Sequence, residues 1–493
     1  KYLSLTSCRP ECIGGSSHDG RRAGEGVRTV RPGLAALVAL IALGAVAELA
    51  LLASSQLRED AWMAAKSGSN QVLAFCAVVV AIVAVGLTSD ARGRRLVMAV
   101  SAVVAIGLVL STAILSGNVR SLMVALVLLL AMWQVGTWLL ALAPRIEIGS
   151  DLVALAAGFA LIATAVFLVG IAGLLRWWTV VIPIALAAAF GVVRLVRRAR
   201  AQGITGPSVW AGALTRPSRI EAIVAAVSLL VIGVASIWTA APEITIDALT
   251  GKEALPALWA STGQIALDPR DVQQFAVGST LHTTTVGHLV GADGVGRYLN
   301  LLTGVLLSLA AWRVMRFFAG RSVAAFSALA FLVTPAVMWQ MGVANDDLQL
   351  CLAAAGLALG VAAFSRGASS EGLLIGVLAA GAVVAKMHLV PFAVVAALGW
   401  FLVSGRRNAF RSAAALLAGI CIVGAPVFGY RWIVSGNPVL PALNNIFGSP
   451  WFPPVNMTFD FPVGPGGLSD LAKLPVTVFT GPWAFGGGVP AGV

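Results

Sequence analysis

The sequence predicts an all-α, polytopic membrane protein. Hydrophobic residues make up 59% of the 493 positions and charged residues only 11%. Mean hydropathy is +0.92. Apolar runs near the ~20 residues needed to cross ~30 Å of hydrocarbon recur along most of the chain. Backbone inside lipid must satisfy its own hydrogen bonds, so these runs read as helices.

Thirteen spans are expected, at about 33–54, 71–89, 96–116, 121–143, 152–175, 177–195, 220–241, 298–318, 322–340, 347–365, 371–385, 389–404 and 412–430. The first run has no small-residue cleavage site after it and is followed at once by more spans, so it reads as an anchor.

Net charge is +12, and its distribution decides its meaning. With a cytoplasmic N-terminus and alternating spans, the inside segments are 1–32, 90–95, 144–151, 194–219, 313–321, 366–370 and 405–411. They hold 23 of the 33 Lys and Arg. The clusters Arg194, Arg197, Arg198, Arg200 and Arg406, Arg407, Arg411 are what the positive-inside rule expects of cytoplasmic loops. The basic excess therefore sets topology and does not point to nucleic acid. The excess of Arg over Lys, with abundant Ala, Val and Gly, suggests a GC-rich bacterial genome and a plasma (inner) membrane protein.

The chain divides into a basic cytoplasmic tail (1–32), a six-span bundle (33–200), a cytoplasmic linker (201–219) and a second region (220–493) with outer loops at 242–297 and 431–493. In the six-span bundle Glu48 is the exceptional ionisable group; a charge at membrane depth costs ~2.5–3.5 kcal/mol, so it is expected to pair within the bundle. This half is read as accessory. Cys8 and Cys12 lie in the tail, whereas Cys76, Cys351 and Cys421 are expected as buried thiols.

In the second region polar residues are organised by side. Asp247 stands six positions past the run 220–241, at the head of the longest polar interruption. Threading the alternation forward puts Asp247, the triplet Asn345-Asp346-Asp347, Lys386 with His388, and Arg431 at outer ends of spans. Ionisable groups at such positions are functional-site hypotheses. Residues 371–404 are read as two antiparallel spans with Lys386-Met387-His388 at the turn, because one long helix would bury Lys386 and put Arg406, Arg407 and Arg411 outside.

Leu255, Leu258, Trp259, Thr262 and Ile265 recur at helical spacing, with Lys252 and Glu253 before them and Pro256 in the first turn. This is an amphipathic helix beside Asp247, lying on the membrane surface or packed on the bundle as a lid. His282 and His288 are six residues apart, not the i, i+4 spacing of two ligands on one helical face. Asp346 and Asp347 either hold a divalent ion through oxygen ligands or cap the helix that follows. No cofactor is otherwise implied, and no phosphate-binding loop is visible. Gly356 with Gly360, and Gly372 with Gly376, form small-xxx-small pairs for close helix packing.

The acidic residue after a span, the Asn-Asp-Asp opening a later span, a glycine-rich span ending in Ala385-Lys386, and the run from Arg431 through Ser435-Gly436-Asn437-Pro438-Val439-Leu440-Pro441 to Asn444 together resemble bacterial GT-C glycosyltransferases. These are multi-pass enzymes similar to the protein-mannosyl and aminoarabinose transferases, and the resemblance covers about residues 220–493. It implies a transferase that draws a sugar from a polyprenyl-phosphate carrier on the outer side of the membrane and passes it to a glycan, lipid or protein acceptor. By matched position Asp247 is the general base and Lys386 and Arg431 meet the donor phosphate; His388 is grouped with those cations, Asp346 and Asp347 are candidates for a second acidic site, and His282, His288 and Asn437 are candidate acceptor or loop residues. Fixed cations beside a phosphate leaving group, with a carboxylate for the hydroxyl proton, make coherent chemistry. The chain departs from the family in having Ile246 before the loop Asp and Trp432 after the Arg. It also stops at Val493 in an outer segment, which reads as a truncated core. The other readings are a transporter or flippase of a lipid-linked substrate, for which inverted repeats are expected and none is evident, and a noncatalytic assembly subunit.

Overall fold

The computed structural model describes residues 87, 91–142, 150–201, 218–241, 243, 248–268, 273–276, 278–363, 369–404, 409–440 and 443–451. The first two expected spans, with Glu48, Cys76 and the tail cysteines, lie outside the described residues, as do Asp247 and 452–493.

Every regular element among the described residues is helical. In chain order they are α1 (Ala91–Leu115), α2 (Val119–Leu140), α3 (Ser150–Ile171), α4 (Trp177–Ala201), α5 (Arg219–Ala240), α6 (Ala254–Thr262), α7 (Gln273–Ala276), α8 (Ser279–His288), α9 (Val295–Phe318), α10 (Arg321–Leu332), α11 (Pro335–Gly342), α12 (Asp347–Ala363), α13 (Ser369–Ala385), α14 (Val390–Ser404), α15 (Ala409–Ser435) and α16 (Asn444–Phe447). The expected spans from 96–116 onward each fall on one of these helices or on the pair α10–α11.

Seven of the helices are long and apolar enough to cross a membrane, or eight if α10 and α11, bent by 59° at their junction, count as one span. The bend follows from Pro335, which disfavours helical backbone at Thr334 and brings no N–H to continue the ladder. Helices α12, α13 and α14 are shorter, at 17, 17 and 15 residues. The described helices thus show seven or eight full-length spans and do not confirm the expected count of thirteen.

Glycines set the closest crossings. A Cβ on Gly136 would overlap the backbone of Ala154, and one on Gly158 the backbone of Met132, so α2 and α3 touch backbone to backbone at two successive turns. Gly376 of α13 and Gly419 of α15 meet in the same way. Such contacts carry helix association in lipid, where apolar burial gives no driving force of its own. Of the other glycines expected at interfaces, Gly356 faces Ala156, Gly360 faces Leu378 and Gly372 faces Ser412.

Helix α3 runs through the middle of the bundle. Ala156 and Ala160 lie against Gly356 and Gly381, and Phe167 packs its ring on His282 and Tyr430. The buried Trp400 of α14 rests 3.1 Å from where a Cβ on Gly372 of α13 would stand. The end of one helix thus meets the start of the other, so α13 and α14 run antiparallel with Lys386 at their turn.

Opposite that turn the bundle is laced by charge. Asp151 at the start of α3 pairs with Arg198 of α4 at 3.5 Å and Arg313 of α9 at 3.3 Å. Ser218 and Glu221 form a capping box on α5, and Glu221 reaches Arg321 at 2.6 Å. These arginines are about half exposed, so each pair adds at most ~1 kcal/mol. Cys351 and Cys421, expected as buried, are instead exposed on their helices; a small apolar thiol is tolerated on the outer surface of an apolar span.

Candidate functional site

The segment 248–268 builds one wall of the site. A wide π-turn, Ala248–Lys252, leads into α6. Leu255, Trp259 and Ile265 are buried and Leu258 is exposed, so the helix lies on the bundle as a lid by its periodic face. Gly263 ends it at φ 75, and its N–H donates to the Trp259 carbonyl. A left-handed turn there suits glycine. The chain then pairs with the α3–α4 turn, Ile265 N–H donating to Gly170 O and Leu175 N–H to Gly263 O, both at 3.0 Å. This anchorage holds the end of the lid against the bundle, while its start is held through Lys252 and Glu253.

Lys252 meets the Asn-Asp-Asp triplet. Its Nζ donates to Asn345 Oδ1 and, at 2.9 Å, to Asp346 Oδ1. Lys386, at the α13–α14 turn, donates to Asp347 Oδ1 at 2.9 Å and lies 3.5 Å from Asp346 Oδ1. Two lysines from distant segments therefore converge on one carboxylate, whose side chain is only 3% exposed. The triplet is itself held. Asn300 Nδ2 donates to the carbonyls of Val343 and Asn345, and Gln340 Nε2 donates to Asp347 Oδ2 at 2.6 Å. Asp347 is the first residue of α12, where a carboxylate also suits the helix N-terminus.

The charges account for the titration. Burial alone raises the Asp346 carboxyl, but Lys252 and Lys386 outweigh it and hold the group below its ordinary range. For Lys386, burial lowers the ammonium, and Asp346 and Asp347 more than reverse this, so it is raised. Both stay ionised at neutral pH.

Beside Lys252 a second polar chain begins. Glu253 Oε2 and His288 Nε2 are 3.1 Å apart, and His288 Nδ1 is 3.2 Å from Asp293 Oδ1. Burial raises the Glu253 carboxyl against the lowering effect of His288 and Arg297, with Glu243 adding to the rise. Its Oε1 is buried without a hydrogen-bond partner and faces Gly296. Gly296, Thr280, Thr284, Ala344, Asn345, Gln349 and Lys252 line a cavity of about 10 Å³ between the two clusters, close to the space of one water.

The remaining candidates lie elsewhere. His282 is buried against the rings of Phe167 and Trp259, at centroid distances of 4.9 and 6.0 Å. Burial, helped by the charge of Arg431, drives its pKa down to about 3. It is a neutral packing group. Arg431 is buried near the end of α15, 4.0 Å from Met387 Sδ and 6.0 Å from the Phe428 ring centroid, so it lies behind the turn that carries Lys386. His388 is exposed on the 3-10 turn Met387–Leu389. Asn437 organises its own loop. Its Oδ1 accepts from Val439 N–H at 2.9 Å and its Nδ2 donates to Asn444 Oδ1, which also accepts from Ser449 N–H. Gly436, at φ 73, supplies the turn before it.

The structure thus brings together Asp346, Asp347 and Lys386, sets Arg431 one layer behind, and leaves His282, His288, His388 and Asn437 in separate surroundings. Lys252 and Glu253 had been read only as helix flanks. The signal was present: Lys252 is one of five lysines in the chain, five residues after Asp247. Among the described residues no group of three or more His, Cys, Asp or Glu is clustered as metal ligands; Asp346 and Asp347 are engaged by lysines and amides.

A multi-pass helical bundle with a charged cluster at the ends of its helices defines a membrane protein whose polar chemistry is gathered where spans meet loops. Residues 286–430 match the dolichyl-phosphate-mannose-protein mannosyltransferase family. This match supports a membrane glycosyltransferase of the GT-C class. Asp346, Asp347, Lys386 and His388 lie within the matched stretch; Lys252 precedes it and Arg431 follows it directly. No curated protein and no solved structure matches the chain.

Proposed function

We propose that this protein transfers a sugar from a polyprenyl-phosphate donor to a cell-envelope glycan, lipid or protein acceptor on the outer face of a bacterial inner membrane. The observation that carries the reading is the convergence of Lys252 and Lys386 on buried Asp346. An anionic leaving group needs fixed positive charge that does not have to reorganise during reaction. Asp346 keeps two ammonium groups side by side before any donor arrives, and Arg431 adds a third cation behind Met387.

In the proposed reaction the acceptor hydroxyl attacks the anomeric carbon of the donor. Its O–H proton passes to Asp247, the new bond forms between acceptor oxygen and C1, and the bond between C1 and the phosphate oxygen breaks. The electron pair leaves on polyprenyl phosphate, whose growing negative charge is met by Lys252 and Lys386. Asp347 and Gln340 brace Lys386, so the positive groups do not recoil into water.

The test is transfer from a labelled polyprenyl-phosphate sugar by purified protein in lipid. The parent is expected to transfer, and Asp247→Asn to lose roughly 10²–10⁴-fold, the usual worth of general-base catalysis. No transfer by the parent, or an Asp247→Asn variant as active as the parent, overturns the enzyme reading. Binding of the phosphate lipid that persists without transfer favours a flippase.

A further inference from the structure

One sizeable cavity in the described structure lies outside the clusters above. It is a groove of about 430 Å³ between the α3–α4 turn, the outer side of α6 and the end of α8, lined by Leu175, Arg176, Trp177, Trp178, Ala257, Ala260, Ser261, His288 and Leu289. Pockets of this size hold small ligands or headgroups.

Its lining is amphiphilic and sorted by type. Leu175, Trp177, Trp178, Ala257, Ala260 and Leu289 give a hydrocarbon surface, while Arg176, Ser261 and His288 supply the polar groups. Ala257 and Ala260 lie one helical turn apart on α6, and their small side chains leave the groove open. No carboxylate lines it. His288 is already held between Glu253 and Asp293, whereas the Arg176 guanidinium is engaged by no carboxylate among the described residues. The net charge offered to a ligand is therefore the single cation of Arg176.

Location narrows the ligand. Trp177 and Trp178 begin α4, a membrane-spanning candidate, and are 53% and 52% exposed. Tryptophans at the end of a span sit at headgroup level. We infer that the groove is a binding site for one anionic phospholipid of the surrounding bilayer, with its phosphate on Arg176 and Ser261 and its first chain carbons along Trp177, Trp178 and Leu289. The charges match one to one, and the apolar lining suits a ligand that stays in the membrane. A bound lipid would also brace the lid from its outer side.

The experiment is native mass spectrometry of the full protein released from mixed micelles of phosphatidylcholine and phosphatidylglycerol. The parent is expected to retain one phosphatidylglycerol more tightly than phosphatidylcholine. Arg176→Gln removes a charge-assisted contact and should weaken retention roughly tenfold or more. Ala260→Phe fills the groove while keeping every charge, and should abolish the same adduct, which separates a site from diffuse attraction. Circular dichroism melting of both variants identifies any that fails to fold, and Trp177→Ala then takes its place. Equal retention of the two lipids, retention unchanged in both variants, or displacement only by added polyprenyl phosphate overturns the proposal. None of these outcomes depends on whether sugar transfer is observed.

Discussion

Replacing Asp346 by alanine probes the centre of the charged cluster. The change removes a 2.9 Å contact to Lys252 and a 3.5 Å contact to Lys386 from a carboxylate that is 3% exposed. A hydrogen bond to a charged group contributes about 1.5–3 kcal/mol, and deleting one partner of a buried pair costs ~3–5 kcal/mol because the other charge is stranded. Lys386 keeps Asp347 at 2.9 Å and Lys252 keeps Asn345, so the lower end applies and the loss is expected at roughly 3 kcal/mol. Denaturant unfolding in mixed micelles, followed by circular dichroism, measures it. Adding Lys252→Met removes the stranded ammonium and should recover about 1–2 kcal/mol, a coupling typical of residues in contact. Asp346 titrates below its ordinary 3.8 when folded. Its contribution is therefore present above that value and is lost as pH falls through the lowered one, so the coupling should be flat from pH 5 to 8 and shrink below pH 4. A loss under about 0.5 kcal/mol, the size of a neutral surface change, or strict additivity of the two substitutions, would refute the reasoning.

His282→Phe tests the packed histidine. With its pKa lowered to about 3 from 6.5, His282 makes the fold lose stability as pH falls from 6.5 toward 3. The phenylalanine variant should flatten that slope in thermal melts between pH 5 and 8 and stay within about 1.5 kcal/mol of the parent at neutral pH; an unchanged slope counts against a neutral, buried ring. At Gly278 a Cβ would overlap the Val384 carbonyl just before Lys386, so Gly278→Ala should cost roughly 1–3 kcal/mol. Gly399→Ala, where nothing lies within 4 Å, should be neutral or better in the same melts.

The spans were legible because hydropathy over twenty residues is a local property. Every expected span that falls on described residues coincides with helix. The bend at Thr334–Pro335 was also written locally, but only the fold shows that it parts α10 from α11 by 59°. Within the site, the start of α12 and the end of α13 were matched by counting spans, which put Asp346, Asp347 and Lys386 at one end of the bundle before their contacts were known. Lys252 was missed because a lysine ahead of an amphipathic helix looks like a solvated flank; its partner Asp346 is 94 residues away. His282 shows the same blindness in reverse. Its ring neighbours, Phe167 and Trp259, come from α3 and α6, and no local pattern reveals that a histidine will be packed against both. Asn437 was a candidate for an acceptor or loop role, and its bonds to Val439 and Asn444 shape its own turn.

The short hairpin α13–α14 has a consequence for the lipid around it. A helix of 17 residues rises about 25 Å, some 5 Å less than the hydrocarbon it would cross. The bilayer answers such a mismatch by thinning locally, at a modest cost per ångström. Thinning of that kind would bring the water boundary toward the Lys386 turn, and under the proposed function the donor phosphate would meet that ammonium there while its lipid tail stays in oil.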